Sequence, residues 1–313
     1  MKLHLDKELF KEFIENLSSR TKIDSDIIEK DYYVSIILKD LSIKQDYLQA
    51  YFKGGTALYK ILDTMNRFSE DIDLTVMVLD NQSNTKNGSR LKESALGYKV
   101  DGLELSKNEC TINKGNVIGI YKYDSAFNYD NSLHKAGIIQ VESTSFTVSE
   151  PYKKYNIEPL IYKLANDIEK VTLKEKYDIC DFNINIITLE RIFVDKIFAV
   201  EFYYIRNMYF DAAKHLYDIA IMYQKDEIKN LLKNKNLLNE LISYKRKEEL
   251  SRKGGIDSNL KINDFTYIRM DFNNQLLLEF NNMQNKYVLN DSYKINIEFV
   301  KKCLKQILDE LDN

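Results

Sequence analysis

The chain has 313 residues, 44% hydrophobic and 30% charged, which supplies core material for one large or two modest domains and argues against bulk disorder. Only 2 prolines and 10 glycines occur, so collagen-like, low-complexity and turn-dense all-β classes are excluded and long helices are expected. A net charge of -3 excludes nucleic-acid binding through overall positive charge and leaves only a local basic patch for that task.

Three widely spaced cysteines, Cys110, Cys180 and Cys303, form no C-x-x-C pair, so neither a disulfide scaffold nor a Cys-based zinc site is expected. Three histidines, His4, His134 and His215, make a multi-His centre improbable, and a metal here would be a hard ion held by carboxylates. The first residues carry no continuous apolar segment, and no run approaches about 18 apolar residues. The expectation is a cytoplasmic protein, neither secreted nor membrane-spanning.

In chain order, residues 5–48 read as two helices, the second capped by Asp24 or Ser25 and carrying Ile27, Ile28, Tyr32, Val34, Ile36, Ile37 and Leu41 at helical spacing. Gly54-Gly55-Thr56 reads as a turn opening a short helix over 57–62. Residues 71–79 alternate with period two and form the clearest strand, with Ile72, Leu74, Val76 and Val78 facing the core. The Asn/Ser/Gly/Lys-rich stretch 80–90 reads as a loop. Short β-like runs follow within 97–150, notably 116–123, 138–142 and 144–148. Pro151 and Pro159 bracket a passage out of this sheet region. Helical patterns then cover 188–205, 207–224, 226–250 and 292–312, interrupted by Gly254-Gly255. The expected class is α+β. Residues 1–155 would form an α/β domain including the N-terminal helices, and 156–313 a mostly helical domain.

The chemistry concentrates in Phe52-Lys-Gly-Gly-Thr-Ala-Leu-Tyr-Lys and Arg67-Phe-Ser-Glu-Asp-Ile-Asp-Leu. Asp71 and Asp73, two apart on a strand, project their carboxylates from one face. Two carboxylates that close repel unless a cation lies between them, and Mg²⁺ (or Mn²⁺) commonly takes one or two carboxylates plus substrate phosphates. The Gly54-Gly55-Thr56 turn lets backbone approach a ligand, and the helix N-terminus behind it offers N–H groups to an anion. A phosphate-binding turn followed by a metal-binding pair is what phosphoryl or nucleotidyl transfer requires.

These strings resemble the AbiEii family of nucleotidyltransferase toxins, the toxin half of a type IV toxin–antitoxin and abortive-infection (phage-defence) system within the DNA polymerase β-type nucleotidyltransferase superfamily. Ile28-Glu-Lys-Asp-Tyr-Tyr-Val is also similar to that family's N-terminal helix. Where the superfamily has Gly-Ser, this chain has Gly55-Thr56, which keeps the hydroxyl. The resemblance implies a nucleotidyltransferase-type mixed sheet with flanking helices, and a C-terminal helical domain. It implies Asp71 and Asp73 on the metal. Lys53, Gly54, Gly55, Thr56, Arg67 and Ser69 would bind the nucleotide.

Thr188-Leu-Glu-Arg-Ile-Phe-Val-Asp-Lys196 resembles a further family motif. Lys196 sits within an apolar stripe and needs a partner, either a phosphate or an internal acid. Lys214-His-Leu-Tyr-Asp218 resembles the last motif, with Lys214 and His215 where the family usually has Arg-Asp. Three roles are open for Asp218: pairing with Lys196, orienting a hydroxyl nucleophile, or a plain helix-packing salt bridge. Glu142, at the end of a strand, is the candidate third carboxylate, as metal ligand or base. Modification of Ser69 would place negative charge near the metal pair and silence the enzyme.

The basic run Lys225, Lys229, Lys233, Lys235, Lys245, Arg246, Lys247, Arg252 and Lys253 reads either as an RNA-backbone surface or as a solvated helix face. Tyr203, Tyr204, Tyr209, Tyr217 and Tyr223 read as core and core edge. The expected function is Mg-dependent transfer of an NMP from an NTP to an acceptor hydroxyl, with the 3′ end of tRNA implied by the resemblance. The implied outcome is growth arrest countered by an antitoxin encoded nearby. The alternatives are transfer to a small molecule or a protein, and a nucleotide-binding regulator without transfer activity.

Overall fold

A computed structural model describes residues 2–62, 67–127, 136–252 and 254–312. It is a mixed α+β chain that divides into two compact units, Met1–Leu62 with Phe68–Ile187, and Asp63–Arg67 with Thr188–Asn313.

The first unit opens with α1 (Lys7–Thr21) and α2 (Ser25–Leu48). Asp6 caps α1 by accepting from the Leu9 amide at 3.2 Å, and Phe10, Ile14 and Leu17 bury one stripe of that helix. Asp24 occupies the N-cap position of α2 without a side-chain cap bond. Residues 27–35 of α2 are buried without a break, so this stretch of the helix is enclosed on all sides. Then come β1 (Ala50–Lys53), α3 (Gly54–Ile61), β2 (Ile72–Val76), α4 (Asn84–Leu96), β3 (Leu103–Leu105), β4 (Thr111–Asn113), β5 (Asn116–Tyr123), β6 (Ile138–Thr144), β7 (Tyr152–Ile157), α5 (Leu160–Lys163), α6 (Asp167–Tyr177) and β8 (Phe182–Ile187).

Among the described residues these strands form one mixed sheet ordered β3-β5-β6-β2-β1-β8-β7, with β4 paired to β5. The centre carries the site: β1 runs antiparallel to β2 and parallel to β8, and β2 runs parallel to β6. Phe52 pairs with Leu74 and Ile72 with Val141, so one sheet face is apolar. Lys53 pairs with Asp73 and Asp73 with Glu142, so the opposite face is polar at the same level.

Several expectations are corrected. The 80–90 stretch is largely helix, not loop: Ser83 caps α4 by accepting from Lys86, and α4 buries Arg90, Leu91, Ser94 and Ala95. Its inward face is partly polar and satisfies backbone groups, Arg90 donating to the Leu48 and Met77 carbonyls at 3.0 and 2.9 Å. Apolar periodicity is therefore weak there. The strand read over 71–79 stops at Val76, and Val78 is exposed rather than core-facing. Residues 145–148 are bends and coil after β6. The region between Pro151 and Pro159 is not a passage out of the sheet but its edge strand β7, paired with β8.

The second unit holds α7 (Leu189–Tyr204), α8 (Tyr209–Met222), α9 (Asp226–Lys233), α10 (Lys235–Ser251), α11 (Asn274–Tyr287) and α12 (Ile297–Asp312). The expected 226–250 helix is broken at Asn234, whose side chain caps α10 by accepting from Leu237. Helices α7, α11 and α12 pack on α8, burying Val194, Phe198, Leu216, Ile219 and Phe280.

Candidate functional site

In the first unit, β1 delivers Lys53 and then turns straight into α3 at Gly54. Gly54 has φ +83°, a backbone region that suits glycine. A Cβ at this position would lie 2.2 Å from Asp73 Oδ2. The turn and the carboxylate therefore occupy van der Waals contact that only a missing side chain allows. Gly55 and Thr56 form the first turn of α3, with their amides at a helix N-terminus. Thr56 is fully buried and its Oγ1 donates to Ser69 Oγ at 3.0 Å, which ties that turn to the segment leading into β2.

Asp71 is exposed and immediately precedes β2, while Asp73 is half-buried within it. Glu142 is the register partner of Asp73 on β6, and Asn116 of β5 donates to its Oε1 at 2.6 Å. Lys53 lies on the same face, with its Nζ 3.4 Å from Thr144 Oγ1. Lys53, Gly54, Gly55, Thr56, Ser69, Asp71, Asp73 and Glu142 thus gather at one level of one sheet face. Asn116, which orients Glu142, has no sequence signature and emerges only from strand pairing.

Among the described residues, no group of three or more His, Cys, Asp or Glu side chains is arranged to hold a metal ion. The donor set that fits a hard divalent cation is the Asp71–Asp73 pair completed by phosphate oxygens, the usual habit of Mg²⁺.

The second unit contains Arg67, Lys196, His215 and Asp218. Asp218 is fully buried and accepts from Arg67 Nε at 2.8 Å and Nη2 at 2.9 Å, with Lys196 Nζ also 2.9 Å away. Burial by itself would raise the Asp218 carboxyl, but the Arg67 and Lys196 charges outweigh it and hold the group well below the usual carboxylate range. Burial, then the Lys196 charge, pushes His215 well below its ordinary value. Neutral His215 accepts from Lys196 Nζ through Nδ1 at 3.2 Å and stacks on Tyr203. Of the open roles for Asp218, the pairing with Lys196 is the one observed, and Arg67 joins it.

The basic run of 225–253 is partly consumed internally. Lys245 pairs with Glu249 at 3.0 Å and Glu248 at 3.3 Å, Arg246 donates to the Ser258 and Leu260 carbonyls, and Arg252 stacks on Phe202. Lys253, like His134, lies outside the described residues. Tyr217 is fully buried and donates to the Tyr293 carbonyl at 3.1 Å, as core tyrosines do.

The family model described as "Nucleotidyl transferase AbiEii toxin, Type IV TA system" matches residues 36–291, well over half of the chain. The chain belongs to the AbiEii family. It is accordingly a nucleotidyltransferase, of the toxin class found in type IV toxin–antitoxin systems. No curated protein matches it. Among solved structures it is similar to MenT4, the nucleotidyltransferase toxin Rv2826c of Mycobacterium tuberculosis H37Rv. That match has 13% identity and a TM-score of 0.41, covering 96% of this chain and 98% of that one. The AbiEii assignment rests on the family match alone. No helix among the described residues is long and apolar enough to cross a membrane.

Proposed function

We propose that this AbiEii-family protein transfers an NMP from an NTP to the 3′-terminal hydroxyl of tRNA, and that the modification arrests growth until a cognate antitoxin, encoded nearby, relieves it. The observation that carries the reading is the contact between the Gly54 turn and the Asp73 carboxylate, because it sets an anion-binding backbone against an acid suited to a metal. In the reaction, the acceptor oxygen forms a bond to the α-phosphorus as the bond to the bridging oxygen breaks. Pyrophosphate leaves with that electron pair. Glu142, oriented by Asn116, takes the hydroxyl proton.

Asp71 and Asp73 would hold Mg²⁺ (or Mn²⁺), which neutralises charge on the phosphates when bound. The amides of Gly55 and Thr56 and the ammonium of Lys53 bind phosphate oxygens. Thr56 and Ser69 keep the turn and the approach to β2 in register. In the second unit Lys196 is held by Asp218, which fixes the orientation of its ammonium. The proposed compartment is the cytoplasm.

The test incubates pure protein with each labelled NTP and separately with total RNA, total protein and small-molecule acceptors. Label in tRNA, abolished by Asp71→Ala with Asp73→Ala, is expected. Label only in protein or small molecules replaces the acceptor. NTP binding without pyrophosphate release under any condition overturns the transfer reading for this chain.

A further inference from the structure

Three successive charged residues of α2, Glu29, Lys30 and Asp31, are each almost completely buried, at 1%, 2% and 1% exposure. They are part of the Ile28-to-Val34 string, and no role in the chemistry accounts for them. Successive residues on a helix point about 100° apart, so three in a row reach three different directions. Each finds a different segment of the first unit.

Glu29 accepts from the Ser125 hydroxyl at 2.6 Å and from the Ala126 amide at 2.7 Å, in the chain leaving β5. Lys30 donates to the Ile138 carbonyl at the start of β6, the strand of Glu142, and pairs with Glu70 at 3.3 Å. Glu70 lies between Ser69 and Asp71. Asp31 pairs with Lys60 on α3 at 2.5 Å and accepts from the Leu160 amide at 2.6 Å. Lys60 also donates to Ser35 at 2.9 Å, and its helix is the one that begins with Gly54-Gly55-Thr56.

We propose that Glu29-Lys30-Asp31 is a positioning clamp for nucleotidyl transfer, in which one buried helix holds the phosphate turn, the Ser69–Asp71 approach and the strand of Glu142 in mutual register. The proposal rests on the site reading given above. Hydrophobic residues could fill the same space, but they could not specify one alignment of these segments, whereas buried charges tied to particular partners can. Lys30 is the central member because it reaches the segment beside Asp71 and the strand of Glu142 together. The three are positioning residues, with no contact to substrate assigned to them.

The experiment compares Lys30→Met with Leu173→Ala, a core change on α6 away from these segments. Hydrogen exchange is followed in peptides covering 68–76, with no NTP or acceptor present, so the result is independent of the transfer reading. In Lys30→Met, exchange at 69–72 is expected to rise about tenfold or more, the scale of losing a bond to a charged group, and Leu173→Ala leaves it near the parent value. The kcat for transfer per folded molecule falls by about 100-fold, as misplacement of reacting groups does, while the KM for NTP changes little. Lys30→Arg restores most of the kcat.

Parent-like exchange at 69–72, or a kcat loss no greater than that of Leu173→Ala, overturns the proposal. Should Lys30→Met fail to fold, Glu70→Gln removes the same ion pair from its other end and leaves α2 whole. It must then accelerate the same peptide, and parent-like exchange in that variant equally overturns the clamp.

Discussion

Arg67 and Asp218, separated by 151 positions in sequence, form a bidentate ion pair with both oxygens of the carboxylate engaged at 2.8 and 2.9 Å. Lys196 shares the same carboxylate. A buried pair of this kind is weak evidence for net stabilisation, yet removing one partner leaves uncompensated charge. Asp218→Asn strands two cations inside the second unit. A loss of about 3–5 kcal/mol is expected, read as a lower urea midpoint. An unchanged midpoint shows that the pair does not anchor this unit.

The cluster also sets an acid limit. The Asp218 carboxyl is depressed in the fold, so its contribution is complete above the unfolded value of about 4 and is lost as pH falls through the depressed folded value. His215 is likewise depressed, so below about 6.5 the unfolded chain takes up a proton that the native imidazole refuses. Stability should therefore begin to decline as pH drops below that point. His4, also buried and depressed, shares in this first phase, so His215→Gln shrinks it and leaves the later carboxylate phase. Identical pH profiles for parent and variant contradict the assignment.

Gly54→Ala meets two obstacles together, a positive φ and a Cβ 2.2 Å from Asp73 Oδ2. The left-handed backbone costs about 1–2 kcal/mol, and relief of the clash displaces Asp73. Transfer should fall about 100-fold with the fold retained, measured as kcat/KM beside a thermal melt. Full activity in a folded Gly54→Ala protein removes the phosphate-turn assignment.

Ser69 accepts a hydrogen bond from Thr56 two residues before Asp71. A negative charge there raises the potential against which triphosphate must bind. Ser69→Asp should abolish transfer and toxicity, and Ser69→Ala, which loses one hydroxyl, should retain most of both. Growth arrest by Ser69→Asp at the parent level refutes control through this hydroxyl.

Local pattern was informative where one periodicity dominated. The Asp71-x-Asp73 strand entry and helices α1, α7 and α8 are legible because their apolar positions repeat at 2 or at 3.6, and the Gly54 turn because adjacent glycines are rare in this chain. Helix α4 escaped because its buried face uses Arg90, Ser94 and the Asn87 side chain to satisfy carbonyls and amides, so the stretch looks like a polar loop. Strand β7 escaped because an edge strand is mostly exposed and lacks an apolar run.

The composition and motifs determined that this is a helix-rich α+β protein, and they located the acids and the glycine turn. The tertiary structure decided which charges are spent on one another. Arg67, written close to Ser69 and Asp71, pairs with Asp218, and Lys30 reaches Glu70 from helix α2. Such pairings depend on burial, since a charge removed from water must find its partner through the fold rather than along the chain.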